Sequence, residues 1–251
     1  MERWTDKLIV VTGASRGIGK AIVAELAKYP VKIVGLARNI EGLQGIADGL
    51  KSLPGKMYPI KCDLTNESDI LKAFEWIDTE LGQGVSVLIN NAGTLIKSKI
   101  LDGDIEDWKH MYDLNVIALT VCCRECHKSM TKYGITDGHV ININSTAGHT
   151  MLPLPGHKLY NSTKTAVTYL TEGYRHELIA AGVKTKVTSI SPGRVWTSES
   201  PKAEQLVAMK PERVASMVIV ALTTPSDVVI AELTVLSVGE TLQSYPQSLI
   251  K

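Results

Sequence analysis

The sequence predicts an α/β fold in which about seven parallel strands form one doubly wound sheet with helices on both faces. Three observations predict it. Short runs rich in Val and Ile alternate with longer segments of helical period, the pattern of repeated βα units. Several of those runs are almost unbroken apolar, as strands covered on both faces require. The 251 residues contain no Pro/Gly/Ser-rich tract, long like-charge run, low-complexity segment or repeat, so residues 1–251 are expected to form a single domain.

The elements follow in order. The run LIVV places a first strand at Leu8–Val11, and the segment Gly17–Lys28 behind it carries Ile18, Ile22, Val23, Leu26 and Ala27 at helical spacing. Further strands are expected at Lys32–Leu36, Met57–Lys61, Val85–Asn90, His139–Asn144, Lys186–Ser191 and Ile230–Leu236. Between the third and fourth, Glu67–Leu81 aligns Ile70, Leu71, Phe74 and Ile77 on one helical stripe.

Composition narrows the partners. Lys plus Arg number 27 against 26 for Asp plus Glu, which leaves no basic footprint for a nucleic-acid duplex or an anionic membrane. LIVV is too short for a signal-peptide core or a membrane span. Of four cysteines, Cys122, Cys123 and Cys126 bunch in a helical stretch without the additional Cys or His that a zinc site needs. They read as buried reduced thiols, with no metal expected and a cytoplasmic location. The sequons at Asn66, Asn144 and Asn161 point the same way, because glycans on the last two would obstruct the candidate reactive residues Ser145 and Tyr160 beside them.

The first strand runs directly into TGASRGIG, with Gly13, Gly17 and Gly19 where a helix is about to begin. Glycine there allows a sharp turn and brings backbone N–H groups up to a pyrophosphate at the helix N-terminus, so the segment points to a dinucleotide and a Rossmann-type fold. Which dinucleotide depends on the end of the second strand. A carboxylate there would accept hydrogen bonds from a free ribose diol, but the sequence reads Ala37, Arg38, Asn39. Arg38 and the glycine-loop residue Arg16 instead offer two guanidinium groups to a 2′-phosphate, and NADP(H) is the expected cofactor.

TGASRGIG at 12–19, Asp63-Leu64 after the third strand, NNAG at 90–93, Asn115, Ser145, YNSTK at 160–164 and PGRVWT at 192–197 occur together in order. In these the chain resembles the short-chain dehydrogenase/reductases, and the resemblance spans almost its whole length. The start MERW and the stretch HVININS–GH–LPL at 139–154 are similar to an animal cytosolic branch that contains insect farnesol dehydrogenases and related ketosteroid and carbonyl reductases.

Tyr160 and Lys164, four apart on a helix, share a face whatever their role. A phenol with a pKa near ~10 is a poor acid or base at neutral pH, and a nearby ammonium lowers that value by favouring phenolate. The resemblance implies that Tyr160 is the general acid in carbonyl reduction and the general base in alcohol oxidation. It implies that Lys164 also bonds the nicotinamide ribose, that Ser145 holds the substrate oxygen, and that Asn115 holds a water in a proton relay. It further implies that Gly13, Ser15, Arg16, Gly17, Ile18 and Gly19 line the cofactor, with Arg38 and Asn39 at its phosphorylated ribose. Asp63 and Leu64 would border the adenine, and Asn91, Ala92 and Gly93 the adenosine ribose, although NNAG reads equally as a structural device. Pro192, Gly193, Val195 and Thr197 would border the carboxamide.

The chain departs from the family pattern in two places. Fifteen positions separate Ser145 from Tyr160, which implies an extra wall, and Ser198–Lys210 is short where relatives carry a longer lid. Met151, Leu152, Leu154, Trp196 and Leu206 are candidates for an apolar pocket or for core. His149 and His157 flank the site but find no role in chemistry the four residues already cover. The expected function is interconversion of an apolar alcohol, such as a farnesol-like isoprenoid or a steroid, with its aldehyde or ketone. The expected assembly is a homodimer or homotetramer joined near the last two helices and the seventh strand. The alternative is a catalytically weak NADP(H)-binding regulatory or scaffold protein of the same fold.

Overall fold

Alternation along the central strands divides the apolar residues between two cores. The computed structural model describes residues 1–151, 154–197 and 207–240. Its strands are β1 (Leu8–Thr12), β2 (Lys32–Ala37), β3 (Lys56–Lys61), β4 (Val85–Asn90), β5 (His139–Ile143), β6 (Lys186–Pro192) and β7 (Glu232–Val235). They form one parallel sheet in the order β3-β2-β1-β4-β5-β6-β7. Between them run α1 (Gly17–Leu26), α2 (Ile40–Gly49), α3 (Glu67–Trp76), α4 (Ile105–Tyr112), α5 (Ala118–Lys132), α6 (Lys158–Ala180) and α7 (Pro211–Leu222).

On one face of the sheet Ile9, Val11, Ile33, Val87, Ile89, Ile141 and Ile190 pack with α1, Leu43 of α2, and α7. On the other, Leu8, Val10, Val34, Leu36, Leu88 and Val140 pack with α3, α5 and Val167 of α6. Successive side chains of a strand point to opposite faces, so a run such as LIVV supplies both cores at once. The expected strands recur within a residue or two. β7 is the exception: it is shorter than Ile230–Leu236 and half exposed, because among the described strands it lies at the edge and pairs with β6 alone.

Trp4 explains the MERW start in physical terms. It is buried in the α1/α7 core, and its indole N–H donates to the carbonyl of Leu222 at 2.8 Å, satisfying one of the last carbonyls of α7. Among the described residues no helix is long and apolar enough to cross a membrane. Strand order reverses between β1 and β4, and a doubly wound sheet opens a crevice at the carboxyl ends of its strands where that happens.

Candidate active site

The glycine turn after β1 is built so that side chains cannot enter it. Gly13 has φ +65° and Gly17 φ +51°, both in the left-handed region. A Cβ on Gly19 would lie 2.2 Å from the Gly13 carbonyl oxygen and 2.6 Å from Asn91 Nδ2. Asn91 Nδ2 donates to the carbonyls of Thr12 (2.9 Å) and Gly13 (3.2 Å), while the Thr12 hydroxyl accepts the N–H groups of Asn91 and Ala92 at 3.0 Å each. NNAG therefore is the structural device the sequence allowed for: it ties the end of β4 to the glycine turn.

Helix α1 begins on Arg16, whose side chain does not cap it, whereas α2, α3 and α4 are capped by the side chains of Asn39, Asn66 and Asp104. With no acidic side chain in its first turn, α1 presents its N-terminal partial positive charge and N–H groups in a form suited to a phosphate. Ala14 N donates to Leu36 O at 3.2 Å, which anchors the turn beside the end of β2, two residues before Arg38. Arg16 and Arg38 are both exposed there. Burial by itself would raise the Asp63 carboxyl pKa. The Thr65 hydroxyl and N–H, then the charges of Arg38 and His110, outweigh it and hold Asp63 below the usual carboxylate range. Asn39 caps α2, its Oδ1 accepting from Gly42 N at 2.9 Å, which leaves the amide nitrogen as its group for a ligand. Leu64, Ala92 and Leu114 line one small hollow with Thr12 and Asn90.

The four candidate catalytic residues come from three elements. Ser145 follows β5 and opens a short 3₁₀ turn, Thr146–Gly148, with its Oγ accepting from Ala147 N at 3.1 Å. Tyr160 and Lys164 lie one turn apart near the start of α6, with Lys164 Nζ 6.0 Å from the Tyr160 ring centroid. Lys164 is buried, donates from Nζ to Ile143 O at 2.9 Å, and has its pKa pushed down to about 8 by desolvation. Thr168, one further turn along, accepts from Asn144 Nδ2 at 2.8 Å and donates to Gly148 O at 3.3 Å. These bonds on both sides of Ser145 fasten the serine turn to the helix that carries Tyr160.

Asn115 lies in a π-helical turn, Asp113–Ile117, between α4 and α5. Its Oδ1 accepts from Thr94 N at 2.8 Å, and its Nδ2 donates to Thr94 O at 2.9 Å and to Thr163 Oγ1 at 3.0 Å. A Cβ on Gly93 would lie 3.3 Å from that Oδ1 and 3.8 Å from Lys164 Nζ, so Gly93, Asn115 and Lys164 meet at one spot. Such π turns are frequent at functional sites.

Two candidate pocket residues are not core, since Met151 is 73% and Trp196 40% exposed. Leu154 is half-buried, while Leu152 and Leu206, with most of the short segment 198–210, lie outside the described residues. Met209 N donates to Arg194 O (2.9 Å) and Trp196 N to Met209 O (2.8 Å), pairing Val195 with Met209. His149 reaches Ser191 Oγ at 3.0 Å and the Glu232 carboxylate at 3.4 Å, bracing its loop against β6 and β7. His157 is held by Pro155 O, with burial lowering its pKa. All four cysteines are free and buried, and desolvation raises their thiol pKa values. No group of His, Cys, Asp and Glu among the described residues is arranged to hold a metal.

Sequence reasoning passed over Thr12, Thr163 and Thr168, which knit the site together. Thr168 carried a weak signal, being four residues beyond Lys164 on the same helix face.

Comparison with known proteins gives a concordant picture. A family model described as short chain dehydrogenase matches residues 7–206. Human dehydrogenase/reductase SDR family member 11 is 43% identical over 247 residues, covering 93% of this chain and 95% of its own. Farnesol dehydrogenase of Aedes aegypti is 40% identical, covering 96% and 99%. Among solved structures, the closed form of a serine dehydrogenase complexed with NADP⁺ superposes with TM-score 0.84 at 28% identity, covering 93% of this chain and 96% of that one.

Proposed function

The chain belongs to the short-chain dehydrogenase family of oxidoreductases, and from that premise we propose that it interconverts an apolar alcohol and its aldehyde or ketone with NADP(H). The observation that carries the reading is the buried ammonium of Lys164 within one helical turn of Tyr160, beside Gly93 and Asn115. An enzyme keeps a lysine buried at the expense of desolvation when its charge has work to do at a neighbouring group.

The residues present fit a dinucleotide phosphate. The glycine turn leads into the start of α1, which no side chain caps and whose first turn holds no acidic residue, and the exposed Arg16 of that turn and Arg38 just after β2 offer two guanidinium groups to a 2′-phosphate. Gly13, Ser15, Arg16, Gly17, Ile18 and Gly19 would hold the pyrophosphate side. Arg38 and the Asn39 amide would hold the phosphorylated ribose, and Asp63 and Leu64 the adenine. Asn91, Ala92 and Gly93 would border the adenosine ribose. Pro192, Gly193, Val195 and Thr197 would border the nicotinamide, which supplies or accepts the hydride when bound.

In reduction, Ser145 Oγ donates a hydrogen bond to the substrate carbonyl oxygen, and the Tyr160 hydroxyl gives its proton to that oxygen as the carbon is reduced. Lys164 stabilises the phenolate left behind and would bond the nicotinamide ribose. Asn115, held in the π turn by its bonds to Thr94 and Thr163, would hold the relay water that the family resemblance implies. In oxidation each proton moves the other way.

Exposed Met151 and Trp196 support an apolar substrate, and the farnesol dehydrogenase relative favours a prenyl alcohol as first choice, with steroids next. Cytoplasmic residence is supported by four unpaired buried thiols. Assembly into a homodimer or homotetramer is supported by exposed Val220, Val228 and Val229 in and after α7, near β7 at the edge of the described sheet. The test is a panel of prenyl alcohols, prenals, ketosteroids and small diketones followed by NADPH absorbance, with NADH alongside. Turnover of an apolar member with NADPH preferred is expected. Absence of turnover across the panel, or equal use of NADH, would overturn the corresponding part.

A further inference from the structure

We infer that Glu240 is a positioning residue for the nicotinamide end of the site, its carboxylate fixing the Gly193–Arg194 turn. The inference rests on the NADP(H) reading above and adds a residue 46 positions from that turn, outside every motif that marked the site. In parallel register Ile143 pairs with Ile190, and Asn144 N donates to Ile190 O. Gly193 thus leaves β6 at the same end of the sheet at which Ser145 leaves β5.

The Glu240 side chain is only 4% exposed, and a carboxylate removed from water persists only where donors converge on it. Three do. Oε1 accepts from Arg194 N at 2.8 Å and from Arg194 Nε at 3.2 Å, and Oε2 accepts from Ser237 N at 3.1 Å. The carboxylate also fills the space over Gly193: a Cβ there would lie 2.5 to 2.7 Å from Oε2, Oε1 and Cδ. Gly193 N donates to Val235 O at 2.8 Å, so β7 and the residues just after it grip the turn at two successive amides.

The grip extends to the substrate side. Arg194 O accepts from Met209 N, and Trp196 N donates to Met209 O, so the strand pairing that roots Trp196 starts from the residue Glu240 holds. A displaced carboxylate would therefore loosen a wall of each binding site while leaving Tyr160, Lys164 and Asn115 in place. That combination separates a positioning role from a merely stabilising one.

The experiment compares wild type with Glu240→Gln and Glu240→Asp. Gln keeps the volume, but its single acceptor oxygen cannot serve all three donors, and the ion pair between Arg194 and residue 240 is lost. Expected for Glu240→Gln are a melting transition that stays cooperative, an NADPH Kd raised at least fivefold by nucleotide fluorescence, and a lower kcat. The pH midpoint of kcat should be unchanged, and Glu240→Asp should recover part of the affinity. A lower melting temperature with NADPH affinity and kcat intact would overturn the inference. Hydrogen exchange on wild type decides should Glu240→Gln not fold: Gly193, Arg194 and Trp196 amides exchange slowly and slow further with NADPH, whereas solvent-like exchange would overturn the inference. Wild type that binds neither NADPH nor NADH would instead overturn the oxidoreductase reading itself, and this inference with it.

Discussion

Lys164 Nζ donates to the carbonyl oxygen of Ile143 at 2.9 Å, two residues before Ser145. One buried cation thereby links the end of β5 to the helix that carries Tyr160, and the same burial pushes its pKa down to about 8. Between that value and the ordinary 10.5 the unfolded chain holds a proton that the folded chain does not. Stability of the unliganded protein should therefore rise as pH climbs through this window, and the full penalty of the buried charge is present below it. The penalty, net of the hydrogen bond to Ile143, is on the order of 3 kcal/mol. Lys164→Met should melt higher at pH 7, with the difference from wild type shrinking by pH 10. A pH-independent difference would show that Lys164 is not desolvated in this way.

Tyr160→Phe keeps the ring and removes the proton carrier. Turnover should fall by about 10² to 10⁴, the range general acid–base catalysis supplies, while the melting temperature and NADPH affinity change little. A loss of less than tenfold in kcat, measured with the best substrate of the panel, would move the proton transfer to another group.

Arg38 stands exposed just beyond β2, next to a turn anchored on Leu36. A charge-assisted bond to a 2′-phosphate contributes roughly 1.5 to 3 kcal/mol, so Arg38→Ala should raise the NADPH KM about 10- to 100-fold and leave the NADH KM nearly unchanged. Arg38→Asp should make NADH the preferred cofactor. Parallel losses for both nucleotides in steady-state kinetics would exclude a 2′-phosphate contact.

Two glycines should respond in opposite directions. Gly19→Ala drives a methyl group into the Gly13 carbonyl and Asn91, and should destabilise the fold and abolish nucleotide binding. Gly45 lies exposed inside α2 with open space where a Cβ would go. Gly45→Ala should stabilise by about 0.5 to 1 kcal/mol in denaturant unfolding, with nucleotide affinity unchanged. A destabilised Gly45→Ala would mean that the helix is not the exposed element described.

Sequence by itself determined the α/β class, strand positions to within a residue or two, the glycine turn and the pairing of Tyr160 with Lys164. All of these are local: period, turn chemistry and helix spacing act over a few residues and leave their pattern in the chain. Only the tertiary structure decided that Lys164 is buried against Ile143, that Thr12 and Asn91 hold the glycine turn, and that β7 is a half-exposed edge. It alone brought Glu240 over Gly193 and gave the Asn115 side chain to Thr94 and Thr163. Those relations join residues 21 to 79 positions apart. Nothing in a single sequence records them, because desolvation and hydrogen-bond satisfaction depend on what the fold packs against a residue.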